Sequence, residues 1–271
     1  YPEKSVCHPP NTASPLGSAR LILAMAAWYG RDGDPAWLDQ MRGLARGLDE
    51  MAIRRFHYAY YPLESGYLPG EGWIFTQRGA GRIRHFPYTP PDEPARDQQG
   101  FEGCVKFEAG TVVRALVKVH QMTGDEQPLE LAKLLVGFCL LPSMWEDGWE
   151  YGIAGPEHGL FAGHFHGNTM PLRGLLAYAV TTGDERLKNL VREAYEHGRR
   201  CGLARIGWYP NRILPEKFGG LGQKGVWLKT MNEACAGANM LALGVDLSDA
   251  GIGDFWDDVE QATRNQFIEQ Q

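Results

Sequence analysis

Apolar positions recur at helical spacing through most of the chain, and they do so in one phrase repeated four times. An Ala/Leu-rich stretch, a Gly-Asp pair and an amphipathic stretch make up LILAMAAWYGRDGDPAWLDQMRGLARGLDEM, VVRALVKVHQMTGDEQPLELAKLLVGFCL, MPLRGLLAYAVTTGDERLKNLVREAYEHGRR and MLALGVDLSDAGIGDFWDDVEQATRNQF. In the second phrase Leu129, Leu131, Ala132, Leu135 and Val136 mark one face of a helix. Each phrase predicts a helical hairpin. Gly33, Gly124, Gly183 and Gly253 permit the left-handed conformation that closes one helix, and Asp34, Asp125, Asp184 and Asp254 cap the next. Pro35 and Pro128 fall where a helix start tolerates proline.

The four aspartates stand 91, 59 and 70 residues apart. That is too long and too uneven for a short-period helical solenoid. Variable connections between hairpins suit an (α/α) toroid, in which the extra length builds a site on one face. The predicted fold is therefore all-α: a single toroid domain over residues 1–271, an incomplete (α/α)6 barrel of about eight helices where a full ring has twelve. Residues 58–103, rich in Gly, Pro and aromatics, read as a long ordered loop or insertion, with no useful strand alternation.

Bulk composition narrows the function classes. The chain has 271 residues, 44% hydrophobic and 22% charged, as expected of a soluble domain with a sizeable core. A net charge of −6 gives no electrostatic reason for a nucleic-acid or anionic-membrane partner. The apolar runs Leu21–Trp28 and Leu134–Leu141 are too short to span a bilayer. Five cysteines without CxxC spacing (Cys7, Cys104, Cys139, Cys201, Cys235) argue against a disulfide framework or an autonomous zinc finger. Tyr1 in place of Met, with no signal-peptide pattern, predicts a fragment or a processed product that carries no address.

Polar clusters open the first helix of three repeats. Glu108 lies 17 residues before its Gly-Asp aspartate, His164 lies 20 before and Glu233 lies 21 before. Equivalent positions in a ring of hairpins meet at one rim near the axis. Glu108, His164 with His166, and Glu233 with Cys235 are thus expected in one place, with Asn168 beside the histidines. Helix starts also favour polar caps, but His and Cys are not preferred ones. His164 and His166, flanked by glycines, would share one side of an extended segment and could hold a metal or sugar hydroxyls. Cys235 at a helix start would have its thiolate favoured by the helix dipole. The alternative for Cys235 is a small core residue. Loop aromatics, Trp145 and Trp208 foremost, are candidate platforms for sugar rings, although most Trp residues fill cores.

With these residues in hand a family resemblance emerges. The segment NEACAGANMLALGVDLSDAGIGDFWDDVEQATRNQF resembles the Glu-Thr-Cys-Ala block of the β-L-arabinofuranosidase family, glycoside hydrolase family 127. GHFHGNTMPLRGLLAYAVTTGD is similar to the Gly-His block that precedes it there, and the similarity extends over roughly residues 105–271. The resemblance implies that Glu233 and Cys235 ligate zinc, that Glu233 lies close to the chemistry and that His164 binds substrate. It also implies a later cysteine cluster, nucleophile included, beyond Gln271. Where the family carries a histidine, this chain has Glu108.

The expected function is a glycoside hydrolase-like domain acting on a carbohydrate. One mechanism uses a zinc-held thiolate. The other pairs Glu233 with a second carboxylate such as Glu108 or Glu157. Two further readings are a non-catalytic glycan- or protein-binding toroid and a uronic-acid epimerase or lyase. The last needs a cation for the substrate carboxylate, such as Arg173 or Arg205 facing the axis. An open ring also predicts an apolar edge covered by the rest of the polypeptide or by a second copy.

Overall fold

The computed structural model describes residues 13–61, 65–68, 72–79, 82–87, 105–141, 163–213 and 233–268. Eight α-helices run through these residues: α1 (Pro15–Asp32), α2 (Ala36–Met51), α3 (Val105–Thr123), α4 (Glu126–Cys139), α5 (Phe165–Thr182), α6 (Glu185–Arg200), α7 (Ala234–Asp249) and α8 (Trp256–Ala262). They pair as α1–α2, α3–α4, α5–α6 and α7–α8, and α1, α3, α5 and α7 pack side by side in that order. The fold is an arc of four hairpins, with an inner layer of odd-numbered helices and an outer layer of even-numbered ones.

The inner helices run parallel. Near the starts of α3 and α5, a Cβ on Gly110 would lie 2.3 Å from Pro171 Cα, so the two backbones touch there. Near their ends, the Gln121 amide donates to Thr181 Oγ1 at 2.8 Å. All helix starts of the inner layer therefore face one rim, and the Gly-Asp turns face the other.

In three of those turns the glycine is left-handed as the sequence predicts, but of their aspartates only Asp184 caps the next helix; Pro35, not Asp34, precedes α2. Gly33, Gly124 and Gly183 have φ of 70°, 75° and 73°. The Gly33 and Gly124 amides close on the Tyr29 and His120 carbonyls at 2.8 Å. Asp184 caps α6 by accepting from the Leu187 amide at 2.9 Å. Asp125 precedes α4 without capping it, because its carboxylate is taken by Arg42 of α2 at 2.8 Å. The fourth turn departs from expectation. Its left-handed residue is Gly251 (φ 68°), not Gly253. Gly253 is glycine for space: a Cβ there would stand 2.4 Å from the Phe255 ring.

Burial follows position in the arc. Inner helix α3 is covered by α1, α4 and α5 and buries Ala109, Val112, Val113, Ala115, Leu116, Val117 and Val119. End helix α1 buries only Pro15, Ala19, Ile22 and Ala26, one stripe at i, i+4, i+7 and i+11. Its Leu21 and Trp28 are 53% and 48% exposed.

Within the described part of residues 58–103, expected as a loop or insertion without strands, strands do form. Strands β3 (Ser65–Leu68), β4 (Gly72–Gly79) and β5 (Arg82–Pro87) form an antiparallel meander, preceded by a short hairpin of β1 (Ile53–Arg54) and β2 (Ala59–Tyr60). The strands hid in the sequence because apolar residues in GWIFTQRG fall on successive positions, not alternate ones. Trp73 anchors the meander by donating its indole N–H to the Met51 carbonyl of α2 at 2.8 Å. Its ring also packs edge-on to its cross-strand partner Tyr67. A second pair, β6 (Gly163–His164) and β7 (Arg212–Ile213), closes at the rim. Among the described residues no helix is long and apolar enough to cross a membrane.

Candidate functional site

The rim is built from the starts of α5 and α7, two neighbouring inner helices, and from the segment 201–213 laid between them. That segment pairs His164 with Arg212 and stacks Tyr209 on Phe165 at 5.3 Å. It also brings the Gly207 carbonyl against Gly237, where a Cβ would sit 3.0 Å away. Glycine at position 237 lets the segment reach α7.

Helix α5 begins at Phe165, whose amide donates to the Asn211 carbonyl at 2.9 Å. The helix start falls between the two histidines: His164 ends β6 and His166 lies in the first turn of α5. This corrects the expectation that both imidazoles share one side of an extended segment. His166 is half-buried and heads a stripe with Met170, Arg173 and Ala177 at helical spacing. Asn168, only 1% exposed, falls on the opposite side of α5 from that stripe. Trp208 is half-buried in the 201–213 segment, where its carbonyl accepts the Leu203 amide at 2.8 Å. Glu108 lies in the first turn of α3, but its side chain and that of His164 are outside what the structure describes, as are Trp145 and Glu157 altogether.

Glu233 is the extended residue before α7 (φ −118°, ψ 115°), and Cys235 follows in the first turn. The thiol hydrogen-bonds to the Glu233 carboxylate. The expected thiolate does not arise. Burial first, then the hydrogen bond and negative charge of Glu233, push the Cys235 thiol up to about 12, against the lowering pull of the backbone N–H groups at the helix start. The N–H groups of the helix start act as expected and lose to burial and the Glu233 carboxylate together. Glu233 and Cys235 together supply two metal donors, and among the described residues no group of three His, Cys, Asp or Glu side chains is placed to hold a metal.

Below the rim the inner face carries a charge cluster that the sequence reading had not assembled. Arg173, 18% exposed, grips Asp246 of α7 through Nε at 2.6 Å and through a second guanidinium nitrogen at 3.3 Å. Arg114 of α3 stands close enough to feel both charges; burial and Arg173 lower its pKa, while Asp246 raises it. Lys118 and Gln121 continue the Arg114 stripe at i+4 and i+7. The signal was present as two cations four apart in the otherwise apolar run VVRALVKVH. Arg205, by contrast, lies in a single 3-10 turn (Ala204–Ile206), where its carbonyl accepts from Asn265 at 2.7 Å.

No protein-family profile matches the chain, and no curated protein does. The β-L-arabinofuranosidase resemblance thus finds no independent match. Solved structures do match. The cellobiose 2-epimerase of Spirochaeta thermophila DSM 6192 aligns with a TM-score of 0.56 at 14% identity, over 96% of this chain and 59% of its own. That of Bacillus thermoamylovorans B4167 aligns with a TM-score of 0.57 at 13% identity, over 95% of this chain and 61% of its own. At such identities the likeness is one of fold. The chain is an all-α toroid arc, similar in architecture to these carbohydrate-processing enzymes and spanning about three fifths of their length.

Proposed function

We propose that the chain is a sugar-processing toroid domain that works by proton transfer at the rim formed by the starts of α5 and α7. The observation that carries this reading is the delivery of His166 and Glu233 to one rim by two adjacent inner helices. An imidazole and a carboxylate are the groups suited to moving protons near neutral pH. Proton transfer at a sugar carbon gives epimerisation, and proton transfer at a glycosidic oxygen gives hydrolysis. Cys235 fits as a neutral hydrogen-bond donor to Glu233. The fold neighbours, by their names epimerases of cellobiose, support a saccharide as substrate.

The test is NMR of the protein with cellobiose and a panel of other oligosaccharides in D2O. Epimerisation shows as deuterium entering a sugar carbon, and hydrolysis as new reducing ends. Glu233→Gln and His166→Asn should each lower turnover by about 100-fold without lowering Tm. Binding without turnover, unchanged in Glu233→Gln, would instead establish a non-catalytic glycan-binding toroid.

A glycoside hydrolase with a zinc-thiolate centre is the second reading, favoured by the contact between Glu233 and Cys235. Two donors are half of a tetrahedral set, and the other two would have to come from groups outside the described residues. Stoichiometric zinc that is lost in Cys235→Ser would support it. The exposed Leu21, Trp28 and Trp256 at the two ends of the arc fit a further piece of the polypeptide, or a second copy, packing there.

A further inference from the structure

A cavity of about 410 Å³ opens between α1, α3 and α5, lined by Leu23, Ala26 and Ala27, by Arg114, Val117, Lys118 and Gln121, and by Ala177. No outer helix contributes to it, so it lies on the inner face of the arc. Its space exists because α1 and α5 present alanines there. Its polar wall comes from the single α3 stripe of Arg114, Lys118 and Gln121. Gln121 is already engaged by Thr181. That leaves two cations in the wall and no carboxylate among the lining residues. Asp246, the acid that acts on Arg114, is held by Arg173 in a two-point ion pair. Arg114, Lys118, Arg173 and Asp246 together therefore carry a net charge of about +2 on a half-enclosed surface, where field lines concentrate and an anion is attracted. A guanidinium is always charged and presents a planar fork that matches a carboxylate.

The α5 stripe connects this cavity to the rim. From His166 to Ala177, the α5 residue in the cavity wall, the helix rises about 16 Å, the span of several sugar units. A saccharide of several units with one end at the rim would thus place a more distant unit beside Arg114.

We propose that the Arg114–Lys118 cavity is an anion subsite that takes the carboxylate of a uronic-acid unit, within a saccharide long enough for another of its units to reach the rim. The assignment rests on the sugar-processing reading and gives it a substrate class: acidic oligosaccharides in preference to neutral ones. Arg114 supplies the bidentate contact and Lys118 the exposed second charge, while Arg173, by pairing with Asp246, keeps that carboxylate from cancelling them.

The test is titration calorimetry of the chain with trigalacturonate and with cellotriose, at low and at high salt, beside inorganic phosphate as a plain anion. Trigalacturonate should bind at least about tenfold more tightly than cellotriose and weaken as salt rises. Arg114→Gln and Lys118→Gln should each remove most of that preference while leaving cellotriose binding unchanged. Lys118 is exposed, so its variant remains informative if Arg114→Gln unfolds. Ala177→Leu, which fills the cavity without touching charge, should weaken the acidic sugar as well. Equal binding of the two sugars, or an acidic preference that survives both variants, overturns the subsite and leaves the sugar reading standing. Phosphate binding as tight as trigalacturonate, and competitive with it, shows a general anion site and overturns the uronate assignment. Failure of both saccharides to bind overturns the sugar-processing reading together with the subsite.

Discussion

The carbonyl oxygen of Gly110 occupies the space where Gly174 would carry a side chain: an ideal Cβ on Gly174 would stand 1.9 Å from it. Helices α3 and α5 meet there backbone to backbone, and the contact fixes how closely two inner helices, and the rim residues they carry, approach one another. Gly174→Ala forces the helices apart. It should cost about 3 kcal/mol or more in denaturant unfolding, at the upper end for overpacking. Gly43→Ala serves as control, since a Cβ there meets nothing closer than 3.9 Å. A loss in Gly174→Ala no larger than in the control would show that the helices do not meet this way.

The charge cluster on the inner face makes a second prediction. Asp246→Asn leaves Arg114 and Arg173 facing each other without a carboxylate. Both partners of the ion pair remain partly open to water, so the loss is set at about 1–2 kcal/mol and not at the value for a fully buried pair. Added salt should recover part of it. The Arg173→Met, Asp246→Leu double variant should be nearer to wild type than Asp246→Asn alone. Urea midpoints at two salt concentrations decide the matter.

Cys235 makes a third. A thiol pushed up to about 12 is almost wholly protonated at pH 8, and the thiolate is the species that alkylates. Site-resolved mass spectrometry with iodoacetamide should show slow modification of Cys235 whose rate keeps rising beyond pH 10. Glu233→Gln removes the negative charge and should accelerate the reaction at pH 8 several-fold. Rapid modification in the wild-type chain at pH 7.5 would contradict the Glu233 contact.

A fourth concerns pH. Burial, aided by Arg200, lowers the pKa of His197 on α6 from 6.5, and its Nε2 lies 3.6 Å from Cys201 Sγ. The unfolded chain then binds this proton more readily than the folded one, so stability rises with pH across the interval between the two pKa values. His197 contributes full stability above about pH 6.5 and loses it as pH falls toward the folded value. His197→Gln should flatten the fall in urea midpoint from pH 7 to pH 5.

The hairpins were legible because each rests on a local rule: a glycine that can turn left-handed, an aspartate after it and an apolar stripe on either side. The fourth turn misled for the same reason, since two glycines satisfy the local rule and only the packing of Phe255 tells Gly251 from Gly253. The β3–β5 meander was hidden because its pairing is between strands and its apolar residues do not alternate. At the rim, the sequence placed Glu233, Cys235 and the histidines at helix starts. It could not tell that α5 begins between His164 and His166. Nor could it tell that burial, aided by Glu233, outweighs the lowering pull of the backbone N–H groups on Cys235, since burial is set by tertiary packing.

The four Gly-Asp turns close one rim with only a few residues each, whereas α2 to α3, α4 to α5 and α6 to α7 are joined through long and unequal segments at the other. The molecule thus has a constant floor and an editable ceiling. Evolution, or an engineer, can exchange a whole upper connection while α3 and α5 stay locked at Gly110 and Gly174. The upper rim can then be remade by replacing connections, and the scaffold beneath them need not be renegotiated.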